Sequence, residues 1–216
     1  EFLTDGKNVS LGAMPDIGAV GKQRTLVLLV NSVDKPEQAL TPKQAEDYIN
    51  NGQFQKFIKE ASYGQAWFEA KAYGWIKLSK AERNEACGFV SMDNLEIKNF
   101  LSKNGISLSN FDRVLFLVPG GGGCSLVSKS DFTNTFGAKF SVAWIGINDY
   151  NSPSAWGQHP FPWSNLDFVL AHELGHSLGL WHANGFDCGA ASLSGRCEHV
   201  EYGNNYDAMG SGGKFS

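Results

Sequence analysis

The sequence lacks the features that mark several broad classes of protein. Its 18 Lys and Arg residues are scattered and stand against 22 Asp and Glu residues, for a net charge of −4. Because no basic cluster is present, we expect no nucleic-acid partner. No apolar run approaches the roughly 20 residues that a membrane helix needs, so we expect no membrane partner. No signal peptide is recognisable, which fits a mature secreted protein as well as a cytosolic one.

Segments rich in Pro or Ser that would link two domains are also missing. A chain of 216 residues with 42% hydrophobic residues is long enough to form one large core. We therefore predict a single domain over residues 1–216, and we expect it to be a monomer.

Cysteine is scarce, and its spacing excludes one kind of metal site. None of Cys87, Cys124, Cys188 and Cys197 belongs to a Cys-x-x-Cys pair, so a structural zinc knuckle is not expected. Cys188 and Cys197 lie nine positions apart, which suits a local disulfide, and Cys87 would then pair with Cys124. Other pairings, or free thiols, stay open from the sequence. Disulfides would indicate a secreted or extracellular protein, with the periplasm as an alternative.

Hydrophobic periodicity predicts both strands and helices along the chain. Strands are predicted at 24–33, 65–78 (as one strand or two), 111–119 and 140–148. Helices are predicted at 41–61, where Thr41 and Gln44 can form a capping box, at 93–103, and from a cap at Ser164 to about Leu178. The chain beyond Gly179 is predicted to be irregular. Strands and helices alternate only in the first part, so the predicted class is α+β with a mixed sheet.

Three of the five histidines fall within eleven residues, in the segment HELGHSLGLWH that runs from His172 to His182. On a helix, His172 and His176 lie one turn apart and point to the same side. Two imidazoles at this spacing can bind one zinc ion, with metal–nitrogen bonds of about 2.0–2.1 Å. A continued helix would carry His182 to the opposite side, but Gly179 can adopt the left-handed conformation that turns the chain back. The segment therefore predicts a zinc site of three histidines.

Glu173 follows the first of these histidines and is rotated about 100° from it around the helix axis. Its carboxylate is predicted to lie beside the metal rather than on it, where a general base can take a proton from water. Three histidine ligands leave one coordination position open, whereas a structural zinc site is normally closed by protein ligands. We therefore predict Glu173 as the catalytic base beside a catalytic Zn²⁺, although other divalent ions can occupy such a site.

The segment HELGHSLGLWH resembles the HExxHxxGxxH signature of the metzincin zinc endopeptidases. Metzincins also carry a methionine turn beneath the zinc, and the segment YDAMG at residues 206–210 lies at a suitable distance, with Met209 as its methionine. Taken together, HELGHSLGLWHAN and CEHVEYGNNYDAMGSG are most similar to the gametolysin (autolysin-type) family. The resemblance is strong over residues 168–213 and weaker in the N-terminal half, where residues 26–30 and 62–65 look similar.

The resemblance implies a two-lobed, metzincin-like zincin fold. The upper lobe, about residues 1–179, would hold a twisted mixed sheet, a backing helix and the active-site helix. The lower lobe, about residues 180–216, would be small and irregular and would carry the methionine turn. The sequence ends seven residues after Met209, whereas metzincins usually continue into a C-terminal helix. We therefore expect a trimmed or unusually small lower lobe.

The implied activity is hydrolysis of peptide bonds in extended or unfolded extracellular proteins, such as gelatin, matrix proteins or cell-wall glycoproteins. Substrates of such enzymes usually add a strand to the sheet edge above the cleft, and residues 140–147 are either that edge strand or an interior strand. A second donor to the substrate's oxyanion is often a Tyr or His, and the candidates are Tyr202, Tyr206, His199 and His159. The astacin and serralysin branches place a tyrosine two residues after the methionine, where this sequence has Ser211.

Three other interpretations stay open from the sequence. The chain could hydrolyse a cell-wall amide that is not a protein peptide bond, it could be a protease-like binding module with weakened catalysis, or its helix could carry the histidines incidentally. The complete set of ligands and base argues against the second, and the cost of burying unpaired imidazoles argues against the third. Calcium binding has no support, because no EF-hand pattern is present.

Overall fold

The structure, a computed structural model, describes residues 18–79, 92–119, 128–135, 138–147, 165–190 and 197–210. In chain order its elements are β1 (Gly21–Ser32), α1 (Pro42–Asn51), α2 (Gln53–Ala61), β2 (Ala66–Leu78), α3 (Leu95–Lys103), a short 3-10 helix (Leu108–Asn110), β3 (Arg113–Pro119), β4 (Ser128–Thr135), β5 (Ala138–Ile147), α4 (Asn165–Ser177), β6 (Gly185–Asp187) and β7 (Glu198–Val200). Within these residues, no helix has the length and apolar character needed to cross a membrane.

Five of the strands form one mixed sheet in the order β2-β1-β3-β5-β4. The first four run parallel, and β4 pairs antiparallel with β5 at one edge. The predicted mixed sheet of an α+β protein is thereby confirmed at this coarse level. β6 and β7 form a separate antiparallel hairpin, which the sequence did not predict.

The sheet order decides the alternative left open for residues 140–147. These residues lie in β5, which is an interior strand between β3 and β4, so the interior alternative is confirmed and the edge alternative is wrong. The edge strand on this side of the sheet is β4, whose sequence SKSDFTNT contains no strand signal. An edge strand needs little apolar character, because one side of its backbone has no neighbouring strand, and a single large apolar residue does not produce a recognisable alternation.

The predicted single helix over residues 41–61 is divided in two at Gly52, which has extended backbone with φ −75° and ψ −174°. The Gly52 N–H still donates to the carbonyl of Tyr48 at 2.9 Å, so α1 is closed there before α2 begins. The predicted capping box is confirmed: the Gln44 N–H donates to Thr41 Oγ1 at 3.2 Å, and the Thr41 N–H donates to Gln44 Oε1 at 2.8 Å. The segment predicted at 65–78 as one strand or two forms the single strand β2, which begins at Ala66.

A hydrophobic cluster covers each face of the sheet. Alternation along β1 sends Val27 and Leu29 into one cluster and Leu26 and Leu28 into the other. The first cluster includes apolar residues of α1, α2 and α4, whereas the second includes those of α3. A strand buried on both faces reads as a continuous apolar run, which is why β1 was recognisable from sequence.

Helix α4 is fixed to the junction of α1 and α2 by the carboxylate of Asp167. The Tyr48 hydroxyl donates to Asp167 Oδ2 at 2.8 Å, and the Phe54 backbone N–H donates to Asp167 Oδ1 at 3.1 Å. Asp167 lies in the first turn of α4 and is buried, so these bonds also place a negative charge at the helix N-terminus. The predicted cap, Ser164, lies outside the described residues.

Candidate metal centre

Helix α4 carries His172 and His176 one turn apart, and the chain reverses directly after the helix ends at Ser177. Gly179 has a φ of +95°, the left-handed conformation that the sequence predicted. The Leu180 N–H donates to the carbonyl of Gly175 at 3.1 Å, and the Gly179 N–H donates to the carbonyl of His176 at 2.9 Å. This pattern is the Schellman C-cap, and it turns the chain back toward α4.

The reversal brings His182 to the two histidines of the helix. The ligand nitrogens of His172, His176 and His182 all lie within 4.8 Å of one another. A tetrahedral zinc ion with bonds of about 2.0–2.1 Å holds its ligands about 3.4 Å apart, so small ring movements would close this cluster around an ion. The cluster can therefore hold a metal ion, and its all-imidazole donor set is compatible with zinc.

Each histidine of the cluster uses its Nδ1 for a hydrogen bond that orients the ring. The acceptors are the carbonyl of Ala208 for His172 at 2.8 Å, the carbonyl of Leu180 for His176 at 2.9 Å, and Oε1 of Glu201 for His182 at 2.6 Å. Because carbonyl and carboxylate oxygens can only accept, each ring carries its proton on Nδ1 and keeps the Nε2 lone pair for a metal.

Burial lowers the pKa of His172 and of His176 below the ordinary value. The hydrogen bonds to the carbonyls of Ala208 and Leu180 act in the opposite direction, while the charge on neighbouring histidines lowers the pKa further. Both rings are therefore neutral near pH 7, which is the form that binds a metal ion.

Glu173 is 4% exposed and directly follows His172 on α4. Its charge is one cause of the raised pKa of Tyr202, after burial and the charge of Glu201, so the Glu173 carboxylate lies near that phenol. The Tyr202 ring in turn lies on the His182 ring, with centroids 3.8 Å apart, and 5.9 Å from that of His172. An acidic side chain, a phenol and the three imidazoles therefore share one site.

Within the described part of the chain, none of the other predicted oxyanion donors has a recorded ring contact with the histidine cluster like that of Tyr202. Tyr206 is 69% exposed. His199 lies on β7, where its ring contacts that of Phe186 at a centroid distance of 6.0 Å. His159 lies outside the described residues, as does Ser211. Tyr202 is thus the predicted candidate that the structure brings onto the histidines.

Met209 packs against α4 at Gly175, between the two histidines of the helix. A Cβ added to Gly175 would lie 2.5 Å from Met209 Sδ, so the helix approaches the methionine closely because residue 175 has no side chain. The turn around Met209 also forms hydrogen bonds with both segments that carry the histidines, α4 and the segment after it. Ala208 accepts from His172, and the Ala183 N–H donates to the carbonyl of Met209 at 2.8 Å.

The predicted disulfide between Cys188 and Cys197 is confirmed. In the hairpin, Asp187 pairs with Glu198, so the disulfide occupies the next position of the same antiparallel register. At the end of the hairpin away from the disulfide, His182 lies shortly before β6 and Glu201 directly after β7. The predicted pair Cys87–Cys124 lies outside the described residues.

Arg113, which the sequence did not single out, holds the C-terminal end of α4. Its guanidinium is fully buried and donates to the carbonyl of Ser177, to Ser141 Oγ at 3.1 Å and to Gln23 Oε1. Burial lowers the pKa of Arg113 to about 10, and the charge of Asp112 opposes this effect. The side chain therefore stays cationic at neutral pH and places its charge where the helix dipole is negative.

Glu201 was also missed, because nothing near it in sequence links it to a histidine 19 residues earlier. The one available signal was the disulfide: counting outward along a hairpin closed by Cys188 and Cys197 brings residues 182–184 opposite residues 201–203. That inference requires the register of the hairpin, which the sequence did not provide.

Comparison of the chain with protein-family models found no match, and comparison with curated proteins found none either. The likeness to a known family therefore rests on the motif residues, and the chemistry rests on the geometry of the histidine cluster.

Proposed function

We propose that the chain is a zinc-dependent endopeptidase of the metzincin type, most similar to the gametolysin family. The observation that carries this proposal is the convergence of His172, His176 and His182, each with Nδ1 bonded to an oxygen acceptor. A buried carboxylate, Glu173, accompanies them, and a three-histidine site leaves room for water and substrate at the ion.

In the proposed mechanism, the Nε2 atoms of His172, His176 and His182 would hold a divalent ion. When bound, such an ion polarises a carbonyl and acidifies water. The Glu173 carboxylate accepts the proton of the attacking water and later donates it to the leaving amine nitrogen. In this proposal, the Tyr202 hydroxyl donates a hydrogen bond to the carbonyl oxygen of the substrate as negative charge develops there.

The proposed substrate is an extended or unfolded extracellular protein, of the gelatin, matrix or cell-wall glycoprotein type. Such a segment can add to the edge of a sheet, and β4 is the edge on the side of β5. Because α4 contacts both β4 and β5, this edge lies next to the helix that carries His172 and His176. The disulfide between Cys188 and Cys197 favours an oxidising compartment, which supports a secreted enzyme.

The test is cleavage of gelatin and casein by the purified chain loaded with one zinc ion, beside Glu173→Gln and Glu173→Ala. Both substitutions remove the base and leave the three histidines in place, so zinc binding should persist while cleavage falls by about 100-fold or more. A matched control is Glu198→Gln, which changes an exposed carboxylate on β7 and should cleave as wild type does.

Equal cleavage by wild type and Glu173→Gln would contradict the role of Glu173. If zinc binds at one ion per chain and no protein is cleaved, the peptide-bond assignment fails. Release of fragments from a cell-wall digest under the same conditions would then favour a hydrolase acting on a non-protein amide.

A further inference from the structure

The third histidine of the cluster is held differently from the other two. His172 and His176 bond backbone carbonyls, whereas His182 Nδ1 bonds the side-chain carboxylate of Glu201 at 2.6 Å. A carboxylate accepts a stronger hydrogen bond than a neutral carbonyl does. The orientation of His182 therefore depends on the identity of one side chain, and substitution of that side chain can test it.

The hairpin brings Glu201 to this place. β6 and β7 pair Gly185 with Val200, and Glu201 follows directly after β7. Beyond the last strand pair, the Tyr202 N–H donates to Asn184 Oδ1 at 3.3 Å, so the two chains stay together toward the metal site. Glu201 thus lies opposite the segment that carries His182, at the end of the hairpin remote from the disulfide.

Tyr202 makes a second contact with the His182 ring. Its own ring covers one face of the imidazole at a centroid distance of 3.8 Å, which restricts tilting of His182. A ring contacted on one face can still rotate in its plane, and the hydrogen bond from Nδ1 to Glu201 opposes that rotation. The ring contact and the hydrogen bond therefore constrain different motions of His182.

We propose that Glu201 is a positioning residue of the metal centre, whose carboxylate orients His182 and strengthens the hold of the three histidines on a divalent ion. The inference rests on the proposed metal centre and extends it. A carboxylate on the Nδ1–H of a metal-binding histidine fixes the tautomer and makes Nε2 a better donor, and loss of such a partner commonly weakens metal binding by about 10- to 100-fold. The Glu201 side chain is 63% exposed, so we expect its removal to have an effect at the lower end of this range, a loss of zinc affinity of about 10-fold.

The experiment measures zinc affinity of the whole metal-free chain by competition with a chromophoric chelator. Glu201→Ala should weaken zinc binding about 10-fold. Glu201→Gln keeps an acceptor oxygen without the charge, so its zinc affinity should lie between those of Glu201→Ala and wild type. Glu198→Ala is the matched control, because it removes an exposed carboxylate from the adjoining strand β7 and should leave the affinity unchanged. The melting temperature of each metal-free variant identifies any general loss of folding.

A second readout is the ¹⁵N NMR spectrum of the metal-free imidazoles. Wild type should show His182 as the Nδ1–H tautomer, and Glu201→Ala should shift His182 toward a tautomer mixture while His172 and His176 keep theirs. A purely structural role of Glu201 would lower the melting temperature without this selective change.

Unchanged zinc affinity in Glu201→Ala, with wild type binding one ion, overturns the inference and leaves the proposed function intact. An equal loss in Glu198→Ala also overturns it, because the effect would then follow net charge alone. Failure of wild type to bind zinc overturns both proposals together. If Glu201→Ala does not fold, the near-isosteric Glu201→Gln decides the same question by affinity and by tautomer.

Discussion

The disulfide between Cys188 and Cys197 should keep ordered the hairpin that reaches the histidine cluster. Its removal by the double substitution Cys188→Ser and Cys197→Ser frees a loop with a sequence separation of 9. In the chain-entropy treatment, closing a loop of this length contributes about 2.6 kcal/mol, equivalent to a factor of about 80 in an equilibrium constant.

Most of this loss should be local. β6 and β7 have only three residue pairs, and all three residues of β7 are exposed, so little buried surface opposes opening of the hairpin. The five-stranded sheet and its two hydrophobic clusters do not include the hairpin. We therefore expect the hairpin to open while the sheet stays folded, and we expect zinc binding to weaken because Glu201 and Tyr202 leave His182.

Two measurements test this reasoning. Hydrogen exchange should accelerate for the amides of residues 185–187 and 198–200 by up to about 80-fold in the double variant, with little change in β1 and β3. Chelator competition should show weaker zinc binding, and saturating zinc should slow the exchange again, because an ion bound to the closed form favours closure. Genetic removal is preferable to a reducing agent, which would also reduce a disulfide of the kind predicted between Cys87 and Cys124. Unchanged exchange in the hairpin would refute the argument.

Three further predictions concern the residues around the histidines. Gly175→Ala should lower the free energy of unfolding by about 1 kcal/mol despite the better helix propensity of Ala, because its Cβ would lie 2.5 Å from the buried Met209 Sδ. Tyr202→Phe should lower kcat about 100-fold with little change in KM, measured on a peptide substrate, because it removes the proposed hydrogen-bond donor to the developing oxyanion. In the metal-free protein, stability should fall as the pH drops below about 6.5. Burial lowers the pKa of His172 and His176, so the unfolded chain binds these protons before the folded one does.

Each of these predictions has a control. Gly175→Ala should become neutral or favourable in a Met209→Ala background, and an equal loss there would contradict the clash. Tyr206→Phe changes an exposed phenol and should leave kcat unaltered, so a similar loss in both variants would exclude a specific role of Tyr202. Urea midpoints that do not change between pH 7 and pH 5 would contradict the histidine titration. In His172→Gln, the urea midpoint should fall less with pH than it does in wild type.

The sequence by itself determined the parts of this protein that depend on local geometry. The spacing of His172 and His176 on a helix, the left-handed turn at Gly179 and the capping box at Thr41 follow from backbone periodicity and short-range hydrogen bonds, and the structure has all three. The continuous apolar run of β1 likewise predicted a strand buried on both faces.

Only the tertiary structure decided which segments meet. Strand order placed β5 inside the sheet and the polar β4 at its edge. Every strand offers the same backbone donors and acceptors, so the local side-chain pattern does not say which strands pair. The close approach of Met209 to α4 and the burial of Arg113 at the helix end join residues far apart in sequence. Glu201 reaches His182 only through the register of a hairpin, since one residue of slip would turn its carboxylate to the opposite face.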